Sequence, residues 1–261
     1  MATSSAPAYT RLSLDLRPPV ARISFRNPPL NIIDIAMMGE LSHVLAKIEA
    51  TSDILAIVLN GQGKAFSVGV DVAAHTPDKV QEMLGKFHGV IRAVVSSKKV
   101  TIAAVHGHCL GGAAEMALVC DMVYTEDSAS WAFPEIKLAC YPPVAATALA
   151  ALVGQKRAAD LILTGRTISG SEAASIGLAN RAVPKEQLDT AVQESVAHLT
   201  KLSAAALCVT KKAMYAWDSM HFDKGLARAE KTYFEELMKT EDAREGVEAF
   251  LQKRDPKWKN R

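Results

Sequence analysis

The chain predicts an α/β fold, and three observations carry that reading. In the first half, strand-like and helix-like segments alternate. Two of those strands, residues 54–59 and 100–105, are unbroken apolar runs, the pattern of strands buried on both faces. From about residue 143 onward almost every segment reads as helix, rich in Ala, Leu, Glu and Lys. Repeated strand–helix order points to a largely parallel sheet with crossover connections.

Residues 12–16 alternate apolar and polar side chains, as a half-buried strand does. Pro18 and Pro19 turn the chain into a second alternating strand, residues 20–25. A loop at Asn27, Pro28 and Pro29 follows, and Asp34 is placed to cap a helix running to about Glu49. The apolar strand 54–59 ends at Gly61 and Gly63. An amphipathic helix is expected over 77–95 and the second apolar strand over 100–105. Gly111 and Gly112 open a short helix that reaches about Val119, and residues 122–124 form another strand. The helices expected beyond are 143–152, 155–163, 171–175, 185–201, 203–216, 222–238 and 241–253. Gly154, Gly165, Gly170 and Gly177 punctuate them.

Bulk composition narrows the function. About half of the 261 residues are apolar (49%), enough to build a large core. A net charge of +2 argues against a nucleic-acid or membrane-surface partner but allows a local basic patch for a phosphorylated ligand. No apolar run reaches the roughly 18 residues that a membrane helix needs. Residues 1–9 have neither an apolar signal core nor an arginine-rich amphipathic pattern, so a cytoplasmic location is expected. Cys109, Cys120, Cys140 and Cys208 have no zinc-like spacing and read as reduced, packed thiols. No metal site is expected.

Three segments carry possible chemistry. The first, Lys64 to Asp71, is a small-residue loop after a buried strand. It can present backbone N–H groups to a ligand, or serve as an ordinary turn. In the second, His106 to Glu115, a strand runs through glycines into a helix whose first N–H groups lack internal partners and suit an anion. Close packing of helix on strand would need the same small residues. Glu115 sits in this segment among Ala113, Ala114, Met116 and Ala117. A carboxylate buried there has a raised pKa and suits proton transfer, unless a salt bridge neutralises it. In the third, Trp131 to Ile136, Glu135 is likewise embedded in apolar residues. Two such acids can divide the work of moving protons. His106 and His108 flank Gly107 and read as structural histidines.

In order and spacing these segments resemble the enoyl-CoA hydratase/isomerase (crotonase) superfamily. Supporting marks are the loop Asn27 to Asn31, the segment Ile57 to Gly61 with Lys64, Ala65 and Phe66, the helical markers at Leu163 to Gly165 and Ala173 to Leu178, and the terminal stretch Ala249 to Arg254. The resemblance spans about residues 10–258. It implies a crotonase-like spiral of ββα turns over 1–200, and over 201–261 a C-terminal helical region that supports homotrimers, often paired into hexamers.

The resemblance also implies roles. The backbone N–H groups of Val70 and Gly112 form an oxyanion hole for the thioester oxygen. Glu115 activates water, and Glu135 delivers a proton to the α-carbon. Lys64, Ala65, Val68 and Lys253 fall at coenzyme A positions, although either lysine also fits a solvated surface charge. Coenzyme A arrives as part of the substrate, and no separate cofactor is implied.

The chain departs from the family after the second glutamate, where a glycine-rich stretch is replaced by Tyr141-Pro142-Pro143-Val144-Ala145-Ala146. Proline has no N–H to donate, and Val144 adds bulk, so an altered acyl pocket is expected. This stretch, with residues 29–38, resembles hydratases of cyclic dienoyl-CoA thioesters, which favours cyclohexa-1,5-diene-1-carbonyl-CoA. Trp131, Phe133, Tyr141 and Val144 would wall a ring-shaped pocket, although aromatic core packing would look the same. Two other functions compete with hydration. One is a different enolate-stabilising reaction, such as isomerisation or ring hydrolysis. The other is a non-catalytic binding role, which the weak charge disfavours.

Overall fold

The computed structural model describes residues 9–260, with backbone alone at 216–220. The reading of residues 1–9 as leaderless therefore falls almost entirely outside the described residues. A six-stranded sheet forms the first layer: β1 (Leu12–Arg17), β2 (Val20–Phe25), β3 (Ala56–Gly61), β4 (Val100–Val105), β6 (Met122–Glu126) and β9 (Arg181–Val183). The β1 and β2 strands form an antiparallel hairpin; every later pair in this sheet is parallel. Three short strands, β5 (His108–Leu110), β7 (Ser130–Ala132) and β8 (Ile168–Ser169), make a second layer. Isolated bridges Ile33–Val70 and Ser67–Cys109 extend that layer toward the first turns of the spiral.

The helices are α1 (Ile35–Glu49), α2 (Val80–Ser96), α3 (Gly112–Leu118), α4 (Pro143–Val153), α5 (Gln155–Thr164), α6 (Gly170–Ser175), α7 (Leu188–Leu199), α8 (Ala204–Glu235) and α9 (Glu241–Leu251). Asp34 caps α1, its carboxylate accepting from Met37 N at 2.7 Å. On α2 one face buries Met83, Leu84, Phe87, Val90, Ile91 and Val94, as its apolar periodicity requires.

Two expectations are corrected. Helices expected at 203–216 and 222–238 are one continuous helix, α8, because no proline or glycine interrupts residues 216–222. The short strands β5, β7, β8 and β9 were not anticipated. The helical C-terminal part docks on the core of its own chain: Leu226, Tyr233 and Val247 join the same buried cluster as Ile23, Phe25 and Phe87. Among the described residues no helix is long and apolar enough to cross a membrane.

Candidate active site

The site begins at the loop leaving β3. Asn31 is buried (1% exposed), and its amide donates to Gln62 O at 2.9 Å and Ala65 O at 2.8 Å. Ser67 Oγ donates to Asn31 O at 2.6 Å and accepts from Gly69 N at 3.0 Å. These bonds clamp the loop in one conformation and present Val70 at its end. Ile33 bridges Val70 through Ile33 N to Gly69 O (2.9 Å) and Asp71 N to Ile33 O (3.1 Å). In a parallel bridge the residue so paired turns its own N–H to the opposite side. The Val70 N–H accordingly points away from Ile33 and has no acceptor among the described residues.

The second strand-to-helix turn meets this loop. Gly111 has φ +54°, a conformation that disfavours any residue with a Cβ. It turns the chain from β5 into α3, where the first helical N–H, that of Gly112, likewise finds no acceptor among the described residues. The two turns pack closely: a Cβ on Gly112 would lie 2.7 Å from Val70 Cγ2 and 3.0 Å from Phe87 Cζ. Two free amides therefore border one space, suited to an oxygen that gains negative charge.

Glu115, on the first turn of α3, is 3% exposed. Its Oε1 accepts from Val144 N at 2.8 Å and Ala145 N at 3.0 Å, the N-terminal amides of α4. Oε2 makes no hydrogen bond among the described residues and is left for the cavity. Burial pushes its pKa up to about 7, with the two amides opposing the rise. Glu135 lies on a 3-10 helix after β7, and its Oε1 backs onto Gly111, 2.8 Å from where a Cβ would sit. Its Oε2 is buried without a partner. Burial first, and then the nearby Glu115 charge, hold its carboxyl well above the usual carboxylate range. Coupled in this way, the two acids titrate as a pair. Burial and the neighbouring acid both favour the protonated form of Glu135, whereas the two amides on Glu115 favour its ionised form.

Both glutamates, Val70, Gly112 and Val68 line one cavity of about 80 Å3. Its walls include residues that the sequence reading missed: His75, Met83, Leu84 and Phe87 from the α2 side, and Tyr233 from α8. The periodicity of α2 was available as a signal for the first group. Tyr233 had none, since only the tertiary fold brings α8 to Glu135.

The expected acyl wall is corrected at three of four positions. Tyr141 lines the cavity, and its hydroxyl donates to Ala229 O at 2.5 Å. Trp131 does not: it is fully buried, with Nε1 donating to Thr125 Oγ1 at 3.0 Å behind β7. Phe133 is core, 1% exposed and packed in the same buried cluster as Trp131. The Val144 side chain is fully buried too, and its contribution is the amide that holds Glu115. The prolines line the cavity and leave in place the two amides that hold Glu115. Pro142 and Pro143 occupy the start of α4, where an N–H is dispensable.

Ala65 is buried beneath the clamped loop, and Lys64 is exposed beside it. Lys253 is exposed at the end of α9, with φ +54°. None of these three lines the cavity. His106 contacts Gly63 O through Nε2 at 3.2 Å, in keeping with a structural part. Among the described residues no three His, Cys, Asp or Glu side chains cluster as metal ligands.

Residues 17–261 match the family model described as enoyl-CoA hydratase/isomerase. A cyclohexa-1,5-dienecarbonyl-CoA hydratase of Thauera aromatica is 33% identical over 261 residues, covering 100% of both chains. A probable enoyl-CoA hydratase of Rhizobium meliloti (strain 1021) is 34% identical over 257 residues, 97% of this chain and 100% of that one. The crystal structure of an enoyl-CoA hydratase from Mycobacterium avium subsp. paratuberculosis K-10 superposes with a TM-score of 0.87 over 97% of this chain and 100% of that chain, at 24% identity, and so shares the fold. With a spiral of this shape and a match across nearly its whole length, the chain belongs to the enoyl-CoA hydratase/isomerase family, as an enzyme of the hydratase (hydro-lyase) type.

Proposed function

We propose that the enzyme adds water to the conjugated double bond of an enoyl- or dienoyl-CoA thioester, with cyclohexa-1,5-diene-1-carbonyl-CoA as its preferred substrate. The observation that carries the reaction is the pair of buried carboxylates, both with raised pKa, facing two free amides in one cavity. The N–H groups of Val70 and Gly112 receive the thioester oxygen as it gains charge, which typically contributes about 3 kcal/mol per donor to the transition state. Glu115, held by two amides and ionising near pH 7, takes a proton from water. Glu135, whose raised pKa favours its protonated form, delivers a proton to carbon. The ring preference draws on the Thauera aromatica relative and on the apolar wall formed by Phe87, Leu84 and Tyr141.

Lys64 and Lys253 are proposed to meet coenzyme A phosphates, and Ala65 and Val68 to contact coenzyme A as well. We further propose that residues 1–200 form the spiral core and 201–261 the helical region through which copies assemble as homotrimers or hexamers in the cytoplasm.

The test is a paired incubation with crotonyl-CoA and cyclohexa-1,5-diene-1-carbonyl-CoA in isotopically labelled water, scored by mass spectrometry. Faster oxygen uptake by the cyclic diene is expected. Preference for crotonyl-CoA would overturn the ring assignment. Turnover without oxygen uptake would replace hydration by isomerisation, and no turnover of either thioester would remove the hydratase reading.

A further inference from the structure

Two polar atoms of the catalytic cavity are buried without a hydrogen-bond partner among the described residues: Glu135 Oε2 and Tyr233 Oη. Tyr233 is 1% exposed, and its ring is fixed against Tyr141 at a centroid separation of 5.3 Å. Tyr141 is itself pinned to Ala229 O, on the preceding turn of α8. The phenol is therefore rigidly held where it lines the same cavity as Glu115 and Glu135. The Cys140 thiol lies beside it but outside hydrogen-bond geometry, and a thiol is a weak acceptor in any case. Burial raises the phenol's pKa, so it remains an O–H donor across the working range.

Buried tyrosine hydroxyls almost always find a partner, and leaving one unmade costs free energy. Two such atoms in one cavity share the natural partner: an oxygen of whatever occupies it. The thioester oxygen is already matched to the amides of Val70 and Gly112. The coenzyme A phosphates do not fit a largely apolar cavity of about 80 Å3. What is left is the oxygen that the reaction adds.

We propose that Tyr233 is a further substrate-contacting residue, its O–H donating a hydrogen bond to the oxygen added at the double bond, which it holds together with Glu135. The proposal rests on the hydratase reading above. Tyr233 transfers no proton itself. Water gives one proton to Glu115 and forms the C–O bond, Glu135 gives one proton to carbon, and the proton on Glu115 then restores Glu135.

The experiment compares wild type, Tyr233→Phe and Cys140→Ala by calorimetric titration with two ligand pairs. These are 3-hydroxybutyryl-CoA against butyryl-CoA, and 2-hydroxycyclohexane-1-carbonyl-CoA against cyclohexane-1-carbonyl-CoA. Wild type is expected to prefer the hydroxylated member of at least one pair. Tyr233→Phe is expected to lose that preference, roughly five- to tenfold, while binding the unhydroxylated thioesters as before. Cys140→Ala should keep the preference. Thermal stability of Tyr233→Phe should be unchanged or raised, since the deleted hydroxyl had no partner. The proposal is overturned if wild type shows no preference in either pair, if Tyr233→Phe retains it, or if Tyr233→Phe weakens all four ligands equally. Because titration needs no turnover, these results are read separately from the labelled-water assay, which alone decides whether the enzyme is a hydratase.

Discussion

Glu126 and Glu135 lie nine positions apart on the chain, both away from solvent, and the fold treats them in opposite ways. Burial pulls the Glu126 pKa upward, but Ser128 Oγ at 2.6 Å and Gly107 N at 3.1 Å donate to it. With Lys185 and His106 also nearby, its carboxyl ends below the usual range. Glu135 is far more deeply desolvated and has no donor for Oε2. It faces another acid instead of a cation, and its pKa rises well above normal. Asp121 is likewise surrounded by donors, Lys211 Nζ at 2.7 Å and Thr101 N at 2.7 Å. Where a buried carboxylate only joins elements, this chain surrounds it with donors. At Glu135 Oε2 it withholds them, and the raised pKa that results is useful for proton transfer.

Neutralising substitutions should separate the two kinds of site. Glu135→Gln and Glu115→Gln should each lower turnover roughly 100- to 10,000-fold while leaving coenzyme A affinity near wild type, measured by steady-state kinetics and titration. Near-normal rates in both would break the assignment of proton transfer to this pair. Glu126→Gln should reverse the pattern, costing about 1–2 kcal/mol of stability in urea unfolding with little change in turnover per folded molecule.

The pH dependence of stability sharpens the same contrast. A carboxyl whose pKa is raised on folding binds more protons in the native state than in the unfolded state between its two pKa values. Glu115 therefore makes the fold less stable as pH climbs from about 4.5 to about 7, and Glu135, also raised, adds to the loss from the same unfolded pKa upward. Glu135→Gln should flatten this decline and raise the melting temperature at pH 8. Glu126, with its lowered pKa, contributes stability at neutral pH that is lost as pH falls through the native value.

Smaller effects should follow from geometry. Gly111→Ala places a Cβ 2.8 Å from Glu135 Oε1 at φ +54°, so it should cost about 1–3 kcal/mol of stability and displace the acid, visible as a fall in kcat. Lys64→Ala should be the mildest, raising KM a few-fold with kcat unchanged, because an exposed lysine contributes at most about 1 kcal/mol to an ion pair.

The sequence was most informative where a local signal exists. Alternation and apolar runs marked β1 to β4, and Asp34 announced the start of α1. Glu115 and Glu135 stood out as acids among apolar neighbours. Short strands such as Ile168–Ser169 carry too few residues for a period to show. Trp131 and Phe133 were misplaced because an aromatic residue looks the same in a core as in a pocket wall. Val144 was misjudged because its role resides in its amide, which every non-proline residue has. The arrival of Tyr233 in the cavity depends on tertiary packing that no local window contains, whereas the single span of α8 follows from residues 216–222, which hold no proline or glycine.

The most direct test is the protonation state of Glu135 itself, read by infrared difference spectroscopy at pH 7 on wild type, Glu135→Gln and Glu126→Gln. A protonated carboxyl band should be present in wild type, diminished in Glu135→Gln, where only the share from Glu115 remains, and retained in full in Glu126→Gln. Absence of the band in wild type, or its loss in Glu126→Gln alone, would contradict the division between Glu135, starved of donors in the cavity, and the donor-rich acids outside it.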